Sequence, residues 1–265
     1  MSTSPDPSQA SLSERLSKGL SEFGPSDLSP KAKLVVESEF IEVLGLVIAA
    51  RKSDYLSSLI ASLNGQGNCT VPGQDRGFEP SEAALVSGVA IHGEDFDDTL
   101  EGAPIRVAPM VFPNLLAAGE SRGLSGQNVF LGATAGMEAI CWINRLAPSL
   151  MQSRGFHPVG VIGHFGSAAA VSRALDLFPG TMASAMGLSG SFSSGILEYL
   201  GEGAWTKRLH PGLASQSGYR AARLAAQGFV APRFVFEGRH GLYKAFAGLD
   251  SLDQSLLLAG LGQKW

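Results

Sequence analysis

The sequence predicts an all-helical fold. Apolar residues recur at helical spacing along most of the chain. Helix-start signals, in which a capping residue precedes a proline, occur at Ser29-Pro30 and at Glu79-Pro80. Strict alternation of apolar and polar residues is rare, and the best strand candidate is the short run at 233–236. We therefore expect a helical, bundle-like domain without a β-sheet.

The composition is that of one globular domain. Of the 265 residues, 45% are hydrophobic and 17% are charged, which supplies enough apolar material for a sizeable core. The Ser/Pro-rich residues 1–10 are predicted to form a flexible tail, and residues 11–265 a single all-helical domain. The net charge of -4 and the absence of a Lys/Arg run predict no nucleic-acid partner and no membrane partner. Cys69 and Cys141 are expected to be free thiols of a cytoplasmic protein.

Three helices are predicted in the first third of the chain. A long helix at 31–51 follows the first cap-and-proline signal, and a short helix at 54–63 ends where Asn-Gly follows it. Residues 66–77 are rich in turn-forming residues, and the second cap-and-proline signal opens a helix at 79–90.

Four further helices are predicted from apolar runs of helical character. Two are rich in large apolar residues, and two are rich in Ala, Gly and Ser. Their predicted bounds are 109–122, 125–153, 181–200 and 212–228.

The glycines Gly160, Gly163 and Gly166 allow two interpretations. Their regular spacing does not match a dinucleotide-binding motif, and no strand precedes them. Small residues permit close helix packing, which is the first interpretation. The second is an exposed helix N-terminus whose free N–H groups hold a carboxylate.

The acidic string Glu-Asp-Phe-Asp-Asp-Thr at 94–99 is the strongest candidate for a functional site. Its four carboxylates repel one another, and any that is buried must find a partner or take up a proton. The string follows His92 at the predicted C-terminal end of a helix, where the helix dipole disfavours negative charge. Stability alone therefore does not explain it, although a solvated acidic loop is the alternative.

Candidate partners for these acids lie farther along the chain. Arg106, Lys207 and Arg208 are cations that can neutralise carboxylates, and His157 can move a proton because its unperturbed pKa is near neutrality. Asp95 is a candidate base or electrostatic group, and repulsion from its acidic neighbours is expected to raise its pKa. Such a set suits acid–base chemistry on an anionic substrate.

Four blocks of the sequence resemble the MmgE/PrpD family in order and spacing. The first, His-Gly-Glu-Asp-Phe-Asp-Asp-Thr at 92–99, is similar to the family's His-x-x-Asp-Phe-Asp-Asp-Thr signature. The others are Phe-His-Pro at 156–158 with the glycine segment after it, Lys-Arg-Leu-His-Pro-Gly-Leu-Ala at 207–214, and Glu-Gly with a further Gly at 237–241. The resemblance covers residues 31–265.

The resemblance implies a fold and a class of reaction. The family includes 2-methylcitrate dehydratase, cis-aconitate decarboxylase and iminodisuccinate epimerase, which move a proton next to a carboxylate of a small polycarboxylate. It therefore implies a lyase or isomerase that uses no cofactor and no metal. It also implies an all-helical main domain, an α+β lid domain and a homodimer built through the helical domains.

The resemblance also implies that Asp95, Thr99, His157 and Lys207 are active-site positions. The predicted catalytic residues are Asp95, His157 and Lys207. The predicted substrate-binding residues are Thr99, Arg106, His164 and Arg208.

Two features depart from the family pattern. Family members with dehydratase or decarboxylase activity carry a His soon after the acidic string, where this chain has Arg106. Arginine cannot act as a general acid or base at ordinary pH, so it would bind a carboxylate or pair with Asp95. The chain also stops at Trp265, about where the lid domain should begin, so we expect the lid to be absent.

The sequence thus predicts a cofactor-independent proton-transfer enzyme that acts on a small di- or tricarboxylate. His157 would move the proton and Asp95 would assist, in a dehydratase, decarboxylase or epimerase reaction. The alternative is a non-catalytic or incomplete helical subunit that assembles with itself or with a separate lid-bearing chain. The sequence does not distinguish the three reactions and does not name the substrate.

Overall fold

The computed structural model describes Asp6 and residues 8–252. The helices in these residues confirm the predicted all-helical fold, because extended pairing among them is limited to two isolated bridges. The α-helices are α1 (Leu12–Glu22), α2 (Pro30–Ala50), α3 (Asp54–Ala61), α4 (Pro80–Gly93), α5 (Ala108–Arg122), α6 (Gly126–Arg145), α7 (Leu150–Ser153), α8 (Pro158–Ala174), α9 (Pro179–Ser189), α10 (Tyr199–Glu202) and α11 (Thr206–Ala226). A single π-helical turn, Tyr243–Ala247, follows them.

The predicted tail and domain bounds fall partly outside the described residues. The structure describes only Asp6 and residues 8–10 of the predicted tail, and residues 253–265 of the predicted domain are not described. Both bounds therefore stay predictions.

Local capping chemistry starts the predicted helices. The Ser29 hydroxyl accepts the N–H of Ala32 and Pro30 occupies the first turn of α2, as the sequence signal predicts. At α4 the Glu79 carboxylate caps the first turn by accepting the N–H groups of Ser81 and Glu82. Because these contacts lie within four residues, they are visible in the sequence.

The centre of the fold is a stack of apolar helices. Helix α8 packs between α6 and α11, and α11 packs in turn against α4, which also contacts α5. Nearly every residue of α4 and α8 is buried. A helix that is apolar on all sides requires neighbours on all sides, and these contacts provide them.

Glycine pairs allow the central helices to approach closely. A Cβ at Gly88 of α4 would lie 2.8 Å from Gly212 Cα of α11, and a Cβ at Gly166 of α8 would lie 2.9 Å from Gly136 O of α6. All three glycines of the 160–166 segment lie buried within α8. The close-packing interpretation is therefore confirmed, and the interpretation as an exposed helix N-terminus is wrong.

Four predicted elements differ from the structure. The helix predicted at 212–228 begins already at Thr206, as α11. The helix predicted at 125–153 ends at Arg145, because Pro148 follows and Ser149 adopts a left-handed φ of 62° before the short α7. The helix predicted at 181–200 ends at Ser189 as α9, and the short α10 begins only at Tyr199. Residues 233–236 form turns instead of a strand.

The long helix α2 leaves part of its apolar surface uncovered. Leu34 is 63% exposed and Ile41 is 74% exposed, although Val36 and Val43 on the same helix are buried. An apolar groove of about 760 Å³ runs beside Ile41, between α2 and helices α5 and α6. Among the described residues, no helix combines the length and apolar character needed to cross a membrane.

We predict that Gly88→Ala lowers the free energy of unfolding by about 1–3 kcal/mol, because the added methyl group overlaps the α11 backbone at Gly212. Urea denaturation at constant pH measures this change. The matched control is Gly45→Ala in α2, where a Cβ meets nothing within 4 Å. That variant should gain about 0.5–1 kcal/mol from helix propensity. Equal stability changes in the two variants would contradict the close contact of α4 with α11.

Candidate active site

The acidic string forms a loop directly after α4, here called the acid loop (residues 94–99). Asp95 adopts a left-handed φ of 62°, and its N–H donates to the His92 carbonyl oxygen over 3.2 Å. Aspartate is one of the few residues besides glycine that enter this conformation readily. The chain therefore turns sharply at Asp95 as it leaves the helix.

The guanidinium of Arg106 holds the acid loop in shape. Its Nη1 donates to the carbonyl oxygens of Asp97 and Asp98 and to the Thr99 hydroxyl. Its Nη2 lies 3.0 Å from Asp95 Oδ1, so the predicted pairing of Arg106 with Asp95 is confirmed. One planar cation thereby contacts four of the six residues of the acid loop.

Lys207 on α11 completes the neutralisation of Asp95. Its Nζ lies 2.6 Å from Asp95 Oδ1, the same oxygen that Arg106 contacts. The hydrogen bond from Lys207 lowers the pKa of Asp95 despite its partial burial. The expectation that acidic neighbours raise this pKa is wrong, because two cations contact Asp95 directly.

Asp97 is fully buried and pairs with a histidine from the end of α4. Its Oδ2 lies 2.8 Å from Nδ1 of His92, and both side chains are only 1% exposed. The His92 ring stands 6.0 Å from the ring of His157, measured between centroids. The pair therefore connects the acid loop with the histidines of the site.

Asp98 uses its carboxylate to cap the next helix. It accepts the N–H groups of Val107 and Ala108 at the start of α5, over 3.0 and 2.8 Å. Burial nevertheless raises the pKa of Asp98 to about 7. Glu39 on α2 has its pKa raised to about 8, first by burial and then by the charge of Asp98. The buried acids of the loop thus either find a partner or tend to take up a proton.

Two histidines meet next to the Asp95 and Lys207 pair. His157 precedes Pro158 in extended backbone conformation at the start of α8, and its Nδ1 lies 2.8 Å from Nδ1 of His210 on α11. Burial lowers the pKa of His157 to about 3 and that of His210 to about 4, and electrostatic interactions with neighbouring groups add to both shifts. Both rings are therefore uncharged at neutral pH, and one Nδ1 donates to the other.

Small residues make room for the histidine pair. A Cβ at Gly195, whose φ is 106°, would lie 3.2 Å from the His210 ring, and a Cβ at Gly160 would lie 3.3 Å from it. The Tyr199 ring stands edge-on to both imidazoles, with centroid distances of 5.6 and 5.8 Å. Backbone and tyrosine together fix the orientation of both rings.

Arg208 supports the loop from the other side. Its Nε donates to the Gly93 carbonyl oxygen over 2.9 Å, and its guanidinium lies over the Tyr55 ring at 4.8 Å. The Tyr55 hydroxyl donates to Glu94 over 2.8 Å. Because a Cβ at Gly93 would lie 2.0 Å from that hydroxyl, the end of α4 accommodates only glycine here. This network fixes the start of the acid loop.

The structure brings most of the predicted site residues together. One cluster, here called the site cluster, contains Asp95, Thr99, Arg106, His157, Lys207 and, not predicted as a site residue, His210. His164 lies two turns farther along α8, is 2% exposed and bonds through Nδ1 to the Ser217 hydroxyl. The prediction that His164 binds substrate therefore stays a prediction, as does the same role for Arg208.

Sequence reasoning missed four neighbours of the predicted residues. His210 was detectable, because it lies three residues after Lys207 and so shares a face of α11 with it. The pairing of His92 with Asp97 and the contact of Tyr199 with both imidazoles depend on the fold, and no local pattern marks them.

One group of side chains in the described residues has metal-ligating character. His92, Asp95 and Asp97 offer ligand atoms that lie within 4.8 Å of one another. Asp95 already contacts two cations, and Asp97 already holds His92, so a further cation would meet repulsion from Arg106 and Lys207. The absence of a metal and of a cofactor from the reaction stays a prediction.

We predict that the rings of His157 and His210 stay uncharged down to about pH 5, since their pKa values are about 3 and about 4. In the unfolded chain both would take up protons below about pH 6.5. Their contribution to stability is therefore lost as the pH falls from about 6.5 towards these lower values. Nitrogen-15 NMR of the imidazoles between about pH 8 and pH 5 measures their charge. A midpoint near 6.5 for either ring would contradict the burial of the pair.

The chain is similar to known proteins over most of its length. A family model, the MmgE/PrpD N-terminal domain, matches residues 14–255. The human cis-aconitate decarboxylase is 34% identical over 206 residues, which cover 76% of this chain and 41% of that protein. The Aspergillus terreus cis-aconitate decarboxylase is 27% identical over 254 residues, which cover 91% of this chain and 51% of that protein.

A third relative adds to this similarity. The cis-aconitate decarboxylase-like protein oryM of Aspergillus oryzae is 30% identical over 197 residues, which cover 71% of this chain and 41% of that protein. The chain thus spans about half the length, or less, of the curated relatives it matches. With the family match over residues 14–255 and the all-helical fold, the chain belongs to the MmgE/PrpD family.

Proposed function

We propose that the site cluster binds a small di- or tricarboxylate and moves a proton at a carbon next to one of its carboxylates. The observation that carries this proposal is the contact of Lys207 and Arg106 with the single oxygen Asp95 Oδ1, beside the uncharged pair His157 and His210. Cations that stabilise a developing carboxylate-linked carbanion and a neutral base are the two requirements of this chemistry. No cofactor enters the proposal.

Lys207 is the principal proposed contact for a substrate carboxylate. Its ammonium carries three donors, and the structure uses one of them for Asp95. Most donors of Arg106 are already engaged with the acid loop, so we assign it mainly the task of shaping that loop. Asp95 is half-exposed and ionised. A substrate carboxylate would either share Lys207 with Asp95 or displace Asp95 from it.

His157 is the proposed proton carrier, and His210 its positioning residue. For Nε2 of His157 to accept a proton, its Nδ1 must carry hydrogen and donate to Nδ1 of His210. His210 thereby selects the tautomer of His157. The low pKa of His157 makes it a weak base in the free chain, and a bound polyanion would raise that pKa by charge attraction.

The relatives favour decarboxylation among the three reaction types. The curated relatives are cis-aconitate decarboxylases, so we propose cis-aconitate or a similar unsaturated tricarboxylate as the first substrate to test. Loss of CO2 leaves the electron pair of the broken C–C bond on the substrate, and a proton then joins carbon. His157 would have to be protonated for that step. Dehydration and epimerisation would use the same residue as a base.

We also propose a cellular location for the protein and a role for Thr99. The free thiols Cys69 and Cys141 support the predicted cytoplasmic location. Thr99 is proposed to donate to a substrate oxygen, because its hydroxyl oxygen accepts from Arg106 and that contact does not use the hydroxyl hydrogen.

We predict that the chain exchanges a C–H hydrogen of its substrate in heavy water and that His157→Ala reduces this exchange about 10³-fold, because the proton carrier is lost. Proton NMR of a panel of citrate-like, aconitate-like and aspartate-like acids measures the exchange. His210→Ala should give a smaller loss and shift the pH profile of kcat/KM, since His210 acts only through His157.

The matched control for this experiment is His240→Ala. His240 is exposed, and its ring accepts a hydrogen bond from its neighbour Arg239 and from no residue of the site cluster, so its replacement should leave the exchange unchanged. Full activity in His157→Ala would reject the assignment of the proton carrier. Absence of exchange with every acid would favour the second function below.

The apolar surface of α2 favours a second function, a helical subunit that assembles with itself or with a lid-bearing chain. Leu34 and Ile41 are more than half exposed, and the groove beside Ile41 measures about 760 Å³. Apolar patches of this kind mark interaction surfaces in many soluble proteins. A homodimer is compatible with either function.

We predict that the purified chain forms a dimer and that the double variant Leu34→Glu/Ile41→Glu is monomeric, since charges on α2 oppose burial of its apolar face. Sedimentation velocity over a range of concentrations measures the mass. The control Lys33→Glu/Lys52→Glu adds one acidic residue within α2 and one just after it without removing an apolar side chain, and it should remain dimeric. A wild-type chain that is monomeric at all concentrations would contradict self-association through this surface.

A further inference from the structure

A second group of cations lies at the other end of α11 from Lys207. Arg220 and Arg223 stand in the last two turns of α11, and Arg122 ends α5. The three side chains line one depression of about 630 Å³, here called the arginine pocket. Arg220 follows Lys207 by thirteen positions, which corresponds to about 20 Å of helix, so the arginine pocket does not overlap the site cluster.

The three guanidiniums lack carboxylate partners among the described residues. Arg122 makes no hydrogen bond or ion pair there, and Arg223 lies over the Tyr219 ring at 5.9 Å. Arg220 donates through Nε to the Ser81 hydroxyl over 3.3 Å, which leaves its two terminal nitrogens unengaged. The fold therefore places three exposed guanidiniums around one depression without a carboxylate partner among the described residues.

The acid that lines the pocket is already engaged. Oε2 of Glu79 accepts the N–H and the hydroxyl of Ser81 over 2.8 and 2.6 Å, and it also accepts the N–H of Glu82. The Ser81 hydroxyl also accepts from Arg220, so that hydroxyl links the Glu79 carboxylate to Arg220, and the two charged groups form no direct ion pair. One such charge cannot balance three guanidiniums.

General composition does not account for the cluster. The chain has a net charge of -4, so cations are not in excess over its surface. Arg122 and Arg223 each occupy the last turn of a helix, where the dipole favours a cation. The helix dipoles therefore explain why Arg122 and Arg223 each lie at a helix end. They do not explain why these two residues and Arg220 line the same depression.

We propose that the arginine pocket binds the phosphate groups of a small polyanion. Planar guanidinium forks match phosphate oxygens in pairs and at fixed angles, and an anion would relieve the repulsion among the three cations. The remaining lining includes Leu175, Leu177 and Leu224, which would contact an apolar part of an organic phosphate. The proposal does not depend on the function proposed for the site cluster.

The test is the affinity of the purified chain for inorganic pyrophosphate, measured by isothermal titration calorimetry at constant ionic strength, since salt screens such contacts. We expect binding to one site and a Kd at least about tenfold higher in Arg220→Gln/Arg223→Gln, from the loss of charge-assisted hydrogen bonds. Arg122→Gln should also weaken binding and should lower the thermal unfolding temperature only slightly, because within the described residues Arg122 loses only its interaction with the dipole of α5.

Two controls decide where the pyrophosphate binds. Lys18→Gln/Lys52→Gln removes the same net charge elsewhere on the surface and should retain the wild-type Kd. Lys207→Gln alters the site cluster and should also retain it. Loss of binding in Lys207→Gln with retention in Arg220→Gln/Arg223→Gln would move the site to the cluster and overturn the proposal. Absence of pyrophosphate binding to the wild-type chain would overturn it as well.

Discussion

The contact of α11 with both α4 and α8 is the constraint on which the site depends. Gly88 and Gly212 let the backbones of α4 and α11 meet with no side chain between them. Because α11 also packs along α8, one helix carries Lys207 to the loop that follows α4 and His210 to the residue that precedes α8. A wider spacing between these helices would separate the cations from the acids and the two imidazoles from each other.

Within this frame, each charge of the acid loop receives a different neighbour. Asp95 meets two cations, Asp97 meets a buried histidine, and Asp98 meets the amides of a helix start. Burial lowers the pKa values of His157 and His210 and keeps both rings neutral, so the positive charge of the cluster comes from Lys207 and Arg106. A polycarboxylate would thus bring negative charge to the histidines, and its arrival would alter their proton affinity.

The sequence predicted what depends on near neighbours and missed what depends on distant ones. The start of α2 was predictable because Ser29 and Pro30 act within one helical turn. The break after Arg145 is an exception, because Pro148 signals it locally and the prediction of one helix at 125–153 ran through that proline. The lowered pKa of Asp95 was missed because it depends on a distant residue. Its acidic neighbours are adjacent in sequence, whereas Lys207, which determines the shift, is 112 residues away.

The span of the contacts around Arg106 also bears on how the chain folds. Arg106 reaches its loop partners across only 7 to 11 residues, so closing that segment costs little chain entropy. The contacts of His157 with His210 and of Asp95 with Lys207 span 53 and 112 residues. The acid loop can therefore take its shape early, together with α4 and α5, whereas the site cluster assembles only when α11 docks. A folding intermediate without a docked α11 would have an ordered acid loop and no assembled site cluster.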